Sequence, residues 1–152
     1  MAKNILALLL ALVGIVLIDQ NLKTLFLEGY RYYGEIIDLI LVYNKGVAFS
    51  MLSFLDGWLK WLQLVVMAGV LVYVIRLNKR CYMIPVGMLL GAGLSNVYDR
   101  FIHGGVVDYV YWHYKFDFAV FNFADVMINV SVAILLLLHW KPQWCSQLDS
   151  NQ

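Results

Sequence analysis

Four carboxylates, Asp99, Asp108, Asp117 and Asp125, fall within the stretch Ser95 to Asp125, between two long apolar runs of a chain otherwise poor in charge. Ionisable groups at the edge of an apolar layer are costly, and by default they mark a functional site. Asp108 stands in the strand-like run Val106-Val107-Asp108-Tyr109-Val110, and Asp125 heads the last apolar run. If they face each other where water is scarce, the two carboxyls cannot both ionise and share a proton near neutral pH. Such a pair does acid and base work at once: one takes a proton from water while the other donates to the carbonyl oxygen of the bond under attack. The alternative is structural, with Asp125 favourable to a helix macrodipole and Asp108 paired with Arg100 or Lys115. Spacing alone leaves both open. Other chemistries have fewer parts: there is no G-x-S-x-G and no H-E-x-x-H, and His103, His113 and His139 are scattered, so a serine triad or a zinc site has no ready constellation.

The elements that must carry these residues are those of a membrane protein. The chain has 152 residues, 62% of them hydrophobic, with 11 basic and 10 acidic side chains; a soluble domain has about 45–50% apolar residues. A net charge of +1 with no basic run excludes nucleic acid as a partner, since phosphate binding needs clustered Lys and Arg. Cys81 and Cys145 are far apart in sequence and are expected as two free thiols rather than a disulfide or metal pair. The first apolar run follows Lys3 but ends in Ile18-Asp19-Gln20-Asn21, without the small residues of a cleavage site, and reads as an uncleaved first span.

Four segments are long enough to cross an apolar core: Asn4 to Lys23, Trp58 to Arg76, Tyr82 to Asp99 and Phe123 to Trp140. The short connection Leu77 to Cys81, with Arg76, Lys79 and Arg80, belongs in the cytoplasm by its basic density, and Lys3 and Lys141 share that side. Both termini are then cytoplasmic, and residues 24–57 and 100–122 lie outside. At about 1.5 Å per residue, Lys23, Asp99 and Arg100 reach the outer interface, with Asp19, Asn96 and Asp125 a few Å beneath it. Three helices thus bring polar groups to one level. For Asp19 and Lys23, at i and i+4, a plain ion pair on one helix face is the simpler expectation. Gly87 and Gly91 form a G-x-x-x-G that suits close helix packing. Pro85 is expected near the start of a helix, where a missing N–H is tolerated, Pro142 as a stop, and Ser146 to Gln152 as a frayed tail.

The outer pieces are β-prone. Ile36 to Tyr43 and Val47 to Leu52 flank the turn Asn44-Lys45-Gly46, and Val106 to His113 and Phe116 to Phe121 flank Tyr114-Lys115. A small β platform is expected on the outer membrane face, its aromatic residues suited to lipid or a lipidated ligand.

At these residues the chain resembles the lipoprotein signal peptidase, or signal peptidase II, family. The resemblance runs through Asp19-Gln20-x-x-Lys23, Asn44-Lys45-Gly46-Val47-Ala48-Phe49-Ser50, Asn96-x-x-Asp99-Arg100, Gly105-Val106-Val107-Asp108-Tyr109 and Phe121-Asn122-x-Ala124-Asp125. It implies one membrane-embedded domain over residues 1–152: four transmembrane helices and a β cradle in the bacterial inner membrane, with the site near the outer face. The implied activity is aspartyl endopeptidase cleavage of diacylglyceryl-modified prolipoproteins before the lipidated lipobox cysteine, without metal or other cofactor. The implied partners are those substrates and membrane lipid. Asp108 and Asp125 are the implied catalytic pair, and Asp19, Lys23, Asn44, Asn96, Asp99, Arg100 and Asn122 the shell that orients them and holds substrate. Val47, Ser95, Val126 and Ser131 depart from the usual Ala, Gly, Ser and Gly. The rival readings are an ion or proton relay through Asp19, Lys23, Asp99 and Asp125, and a lipid-binding scaffold. A relay should continue across the membrane, whereas the cytoplasmic halves of the four spans lack buried ionisable groups.

Overall fold

The computed structural model describes residues 1–46 and 57–150. Four helices carry the apolar runs: α1 (Ala2–Leu27), α2 (Leu59–Leu77), α3 (Arg80–Ile102) and α4 (Phe123–Trp140), each long and apolar enough to cross a membrane. A short helix, α5 (Pro142–Ser150), follows α4. The strands β1 (Tyr32–Tyr33), β2 (Ile37–Asn44) and β3 (Val106–Trp112) pair antiparallel in the order β1-β2-β3. The expected class, four transmembrane helices with a small β platform, is the one observed.

α3 is the helix on which the others pack, with contacts to α1, α2 and α4, while α2 and α4 barely meet. Its apolar stretch is 61% buried against 11–17% in the other three. Lipid tails are as apolar as Leu, so helix association here rests on close packing, which small residues permit. Gly87 faces the Leu8 carbonyl and Ala11 of α1, and Gly91 faces Leu12 and Ile15; a Cβ on Gly91 would lie 2.5 Å from the Leu12 carbonyl oxygen. On another face of α3, Gly93 meets Met67 of α2. Around these crossings Leu8, Val74, Met83, Val86 and Leu90 form an apolar core. Asn78, in the left-handed conformation, ends α2, a role Asn tolerates. Its carbonyl and side chain accept from Asn4 Nδ2 at 3.4 Å, which ties the start of α1 to the α2–α3 turn.

The sheet caps the opposite end. β2 and β3 pair from Ile37 with Trp112 to Asn44 with Val106, with an irregularity between Leu39 and Val42. Val42 is opposite Asp108, so Asn44, two residues on and on the same face, is its diagonal neighbour.

Five local expectations need correction. Phe116 to Phe121 is not a strand: Lys115 takes a left-handed φ of 64°, and only Phe121 pairs, in a bridge to Val110. The aromatic run lacks the alternating burial of a strand because Phe116, Asp117 and Phe118 are all exposed. The start of α3 at Arg80 makes Pro85 the sixth residue rather than part of the first turn, where it removes the donor that the Cys81 carbonyl would otherwise receive. Pro142 opens α5 instead of ending order; proline suits a first helical position because its missing N–H would be unpaired there. The tail through Ser150 is therefore helical, not frayed. By folding back on α3, α5 brings Cys145 to Cys81, and the two form a disulfide with Cα atoms 5.2 Å apart, which overturns the expectation of free thiols. The strand expected over Val47 to Leu52 lies outside the described residues.

Candidate active site

The N-terminus of α4 builds half of the site. The first N–H groups of a helix have no partner within it, and here each of the first three finds a side chain. Phe123 N–H donates to Tyr109 Oη at 3.0 Å, Ala124 N–H to Asp19 Oδ1 at 2.9 Å and Asp125 N–H to Asn122 Oδ1 at 2.8 Å. Asn122 N–H donates back to Asp125 Oδ2 at 3.1 Å, closing a capping box. Asp125 thus does cap its helix, as the structural alternative held. Its other oxygen, Oδ1, accepts from Asn96 Nδ2 at 3.0 Å. Tyr109 is itself held by stacking on Phe26, ring centroids 4.1 Å apart.

β3 delivers the second carboxylate. Asp108 is 1% exposed and accepts from Asn122 Nδ2 at 2.7 Å and Asn44 Nδ2 at 3.0 Å. Neither Arg100 nor Lys115 forms an ion pair with it among the described residues. Burial first, and the charge of Asp125 second, push the Asp108 carboxyl up from 3.8 to about 7, against the hydrogen bonds from Asn44 and Asn122. Asn122, fully buried, touches both carboxylates; its Nδ2 also lies within 3.1 Å of Asn96 Oδ1 and 3.2 Å of the Val107 carbonyl.

Beneath the two sits a buried charge cluster. Lys23, 1% exposed, places Nζ 2.6 Å from both Asp19 Oδ2 and Asp99 Oδ2 and 2.9 Å from Asn96 Oδ1. All three ammonium protons have partners, as a buried cation requires. The Asp19–Lys23 ion pair of the sequence reading is real, and Asp99 completes it. Asp19 also takes the N–H of Ala124, the residue before Asp125. Asp99 takes the N–H of Val107, the residue before Asp108, at 3.1 Å. One lysine therefore joins the two anchors that position the two carboxylates. Arg100 bridges inward from the end of α3, donating to the carbonyls of Asn96 and Gly46.

A cavity of about 630 Å³ opens beside these groups, lined by Asp108, Asp125, Asn44, Asn96 and Arg100 among others. Asp108, Asp125, Asp19, Lys23, Asn44, Asn96, Asp99, Arg100 and Asn122 thus form one hydrogen-bonded neighbourhood. The remaining ionisable residues of the outer stretch lie elsewhere: Asp117 accepts from Tyr111 Oη, His113 lies 3.2 Å from Asp38, and His103 lies tilted beside the Tyr43 ring. Sequence reasoning gave no role to Gln20, whose Nε2 reaches Ser95 Oγ at 2.7 Å and Asp99 Oδ1 at 2.9 Å. It treated Ser95 only as a departure, yet the Ser95 hydroxyl donates to Asp19 Oδ2 at 2.6 Å. Ser131, also a departure, satisfies itself on the Met127 carbonyl, and Val126 lines the cavity. The signal for Gln20 and Ser95 was a polar residue inside a helix run; their partners, 75 residues apart in sequence, were not readable.

Known proteins resemble this chain in sequence and in fold. The chain is 62% identical over 143 residues to the lipoprotein signal peptidase of Sulfurimonas denitrificans, covering 94% of each chain. It is 57% identical over 122 residues to that of Helicobacter pylori, covering 79% of this chain and 78% of that protein. Two solved bacterial membrane enzyme structures share the fold at 20% identity, with TM-scores of 0.78 and 0.73; the first match covers 94% of this chain and 90% of the other, the second 90% and 92%. The family model described as signal peptidase (SPase) II matches residues 11–141, and the chain belongs to that family.

Proposed function

We propose that this protein is an aspartic signal peptidase II, which removes the signal peptide of lipid-modified prolipoproteins by cutting before the lipidated cysteine. Asp108 and Asp125 are its acid–base pair. The observation that carries the reading is that Asp108, in β3, and Asp125, in α4, line one cavity and are held by one buried amide, Asn122. With the Asp108 carboxyl raised to about 7, the pair holds a proton at neutral pH. The ionised member takes a proton from water as the water oxygen attacks the scissile carbonyl, and the protonated member gives its proton to the carbonyl oxygen. Collapse of the tetrahedral adduct sends a proton to the leaving amine, and no covalent enzyme intermediate forms. Asn44, Asn96, Arg100 and Asn122 orient the pair and the substrate backbone, while Asp19, Lys23 and Asp99 hold the frame.

The basic α2–α3 turn and both termini face the cytoplasm of a bacterial inner membrane, and the site faces the outer surface. The signal helix enters between α2 and α4, which barely meet, with its acyl chains still in lipid. The test is cleavage of a lipid-modified prolipoprotein by the purified protein in detergent, with an unlipidated control. Asp108→Asn and Asp125→Asn are each expected to fold but lose about 10³-fold or more in rate, while EDTA leaves the parent unchanged. Parental rates in either variant, or loss of activity with the chelator, would overturn the assignment.

A further inference from the structure

One polar group in the cavity wall is used by neither the carboxylate pair nor its shell. Gln63 lies four residues into α2 from Leu59, so about one turn, or 6 Å, inside the sheet end of the bundle. Its neighbours Leu62, Leu64, Val65 and Val66 are apolar. It lines the same cavity as Asp108 and Asp125, and its Oε1 is buried with no hydrogen-bond partner among the described residues. An amide oxygen left unpaired away from water is costly, and inside a bilayer no solvent relieves it. Across the cavity Asn129 sits one turn below Asp125 and donates Nδ2 to the Asp125 carbonyl at 3.0 Å. Gln63 and Asn129 are the polar side chains of the wall outside the carboxylates and their shell, and each lies further into its helix than Asp125, the third residue of α4.

The group that fits an unpaired acceptor at this depth is a peptide N–H. A scissile bond has to leave its helix to be attacked, and unwinding the end of a membrane helix frees N–H groups where water cannot reach them. The level of Asn129, one turn or about 6 Å below Asp125, meets an extended chain about two residues before the cut at about 3.3 Å per residue. We propose that Gln63 is a substrate-positioning residue whose side-chain oxygen accepts the backbone N–H of the signal segment two or three residues before the scissile bond. The free enzyme carries a buried acceptor with no protein partner among the described residues and the unwound substrate an unpaired donor, and a turn of the Gln63 side chain into the cavity lets each relieve the other. The inference rests on the Asp108/Asp125 reading, which fixes where the scissile bond lies.

The experiment uses the full-length protein in detergent and synthetic lipidated peptides spanning the cleavage site. In each peptide one backbone amide is replaced by an ester, which removes a single N–H. The parent is expected to lose about tenfold in kcat/KM at one ester position, two or three residues before the cut. On the all-amide peptide, Gln63→Leu is expected to lose about tenfold, chiefly through KM, with Tm unchanged or raised because an apolar side chain replaces an unpaired polar one. On the ester peptide at that position, parent and variant should cut at equal rates. Gln63→Met, unbranched and of similar length, repeats the measurement should Leu disturb the packing. Parental kinetics in both variants, or a loss that is the same on every ester peptide, would overturn the inference. Asp108→Asn and Asp125→Asn abolish cleavage of every peptide whatever its linkage, so cutting by those variants sinks the carboxylate reading separately.

Discussion

In the half of the bundle away from the sheet, α1 and α3 meet through Gly87 and Gly91 around Leu8, Val86 and Leu90. Two to three turns further along the same two helices, Asp19, Lys23, Asn96 and Asp99 are as deeply buried as those apolar residues. Among the described residues, the buried polar groups of the first half are Asn4, bonded to Asn78, and Ser131, bonded to its own helix; neither titrates. One half holds by contact between surfaces, which tolerates small shifts, and the other by directed bonds, which do not. The difference also bears on function, since a proton relay would need ionisable groups in both halves. A one-sided polar layer suits an active site served from one membrane face.

The sharpest way to break the polar half is to remove its cation. Lys23→Met leaves Asp19 and Asp99 buried side by side without their shared partner, a change that costs about 3–5 kcal/mol. Because each of those carboxylates anchors the N–H just before Asp108 or Asp125, the proposed acid–base pair, both anchors loosen together. Cleavage should fall by about a hundredfold or more, as small misplacements of reacting groups do, and Tm should drop. Adding Asp19→Asn and Asp99→Asn removes the stranded charges and should recover much of the Tm, while the rate stays low. Recovery of both would mean the cluster is a charge problem alone and not a positioning frame.

This division explains what was legible in the sequence. Apolar runs revealed the four spans, and Phe123 to Trp140 matches α4 at both ends. α1 and α3 run further than expected because their end turns hold residues such as Thr24, Arg80 and Arg100, which are helical but not apolar. β2 and β3 were readable from branched and aromatic residues, whereas β1 is two residues long and Phe116 to Phe121 owes its aromatics to exposure. Helix rise alone brought Asp19, Asn96, Asp99 and Asp125 to one depth. Asn44 and Asn122 entered through resemblance, because an asparagine in a loop or strand end has no periodic signature. Gln63 is a single polar residue in an apolar span, and only the cavity beside it shows what it faces.

The apolar half offers the middle-sized effect. In Gly91→Val, even the Cβ meets the Leu12 backbone and Ile15, so α1 and α3 must separate. Overpacking of this kind costs about 1–3 kcal/mol, or roughly 2–12 °C in Tm at this chain length. Well below Tm, the rate should stay near the parental value, since no group of the polar layer is touched. A rate loss as large as that of Lys23→Met, with Tm intact, would mean the two halves are not mechanically separable.

The last effect concerns pH and the polar half alone. Asp108 ionises near its ordinary 3.8 in the unfolded chain, but at about 7 when folded, through burial and then the charge of Asp125. Below about 4 the group is protonated in both states and costs nothing. Between about 4 and 7 the unfolded chain releases a proton that the folded chain keeps, so stability declines as pH rises, and above 7 the loss is complete. Asp108→Asn removes this contribution. The fall in Tm from pH 4 to pH 8, measured by thermal unfolding in detergent, should therefore be shallower in the variant by several degrees. An equal fall in both would mean that water or a rearranged Asn44 lets Asp108 ionise freely. The pair would then not hold its proton at neutral pH, and cleavage would be expected to fail there, which ties the pH dependence of stability to that of catalysis.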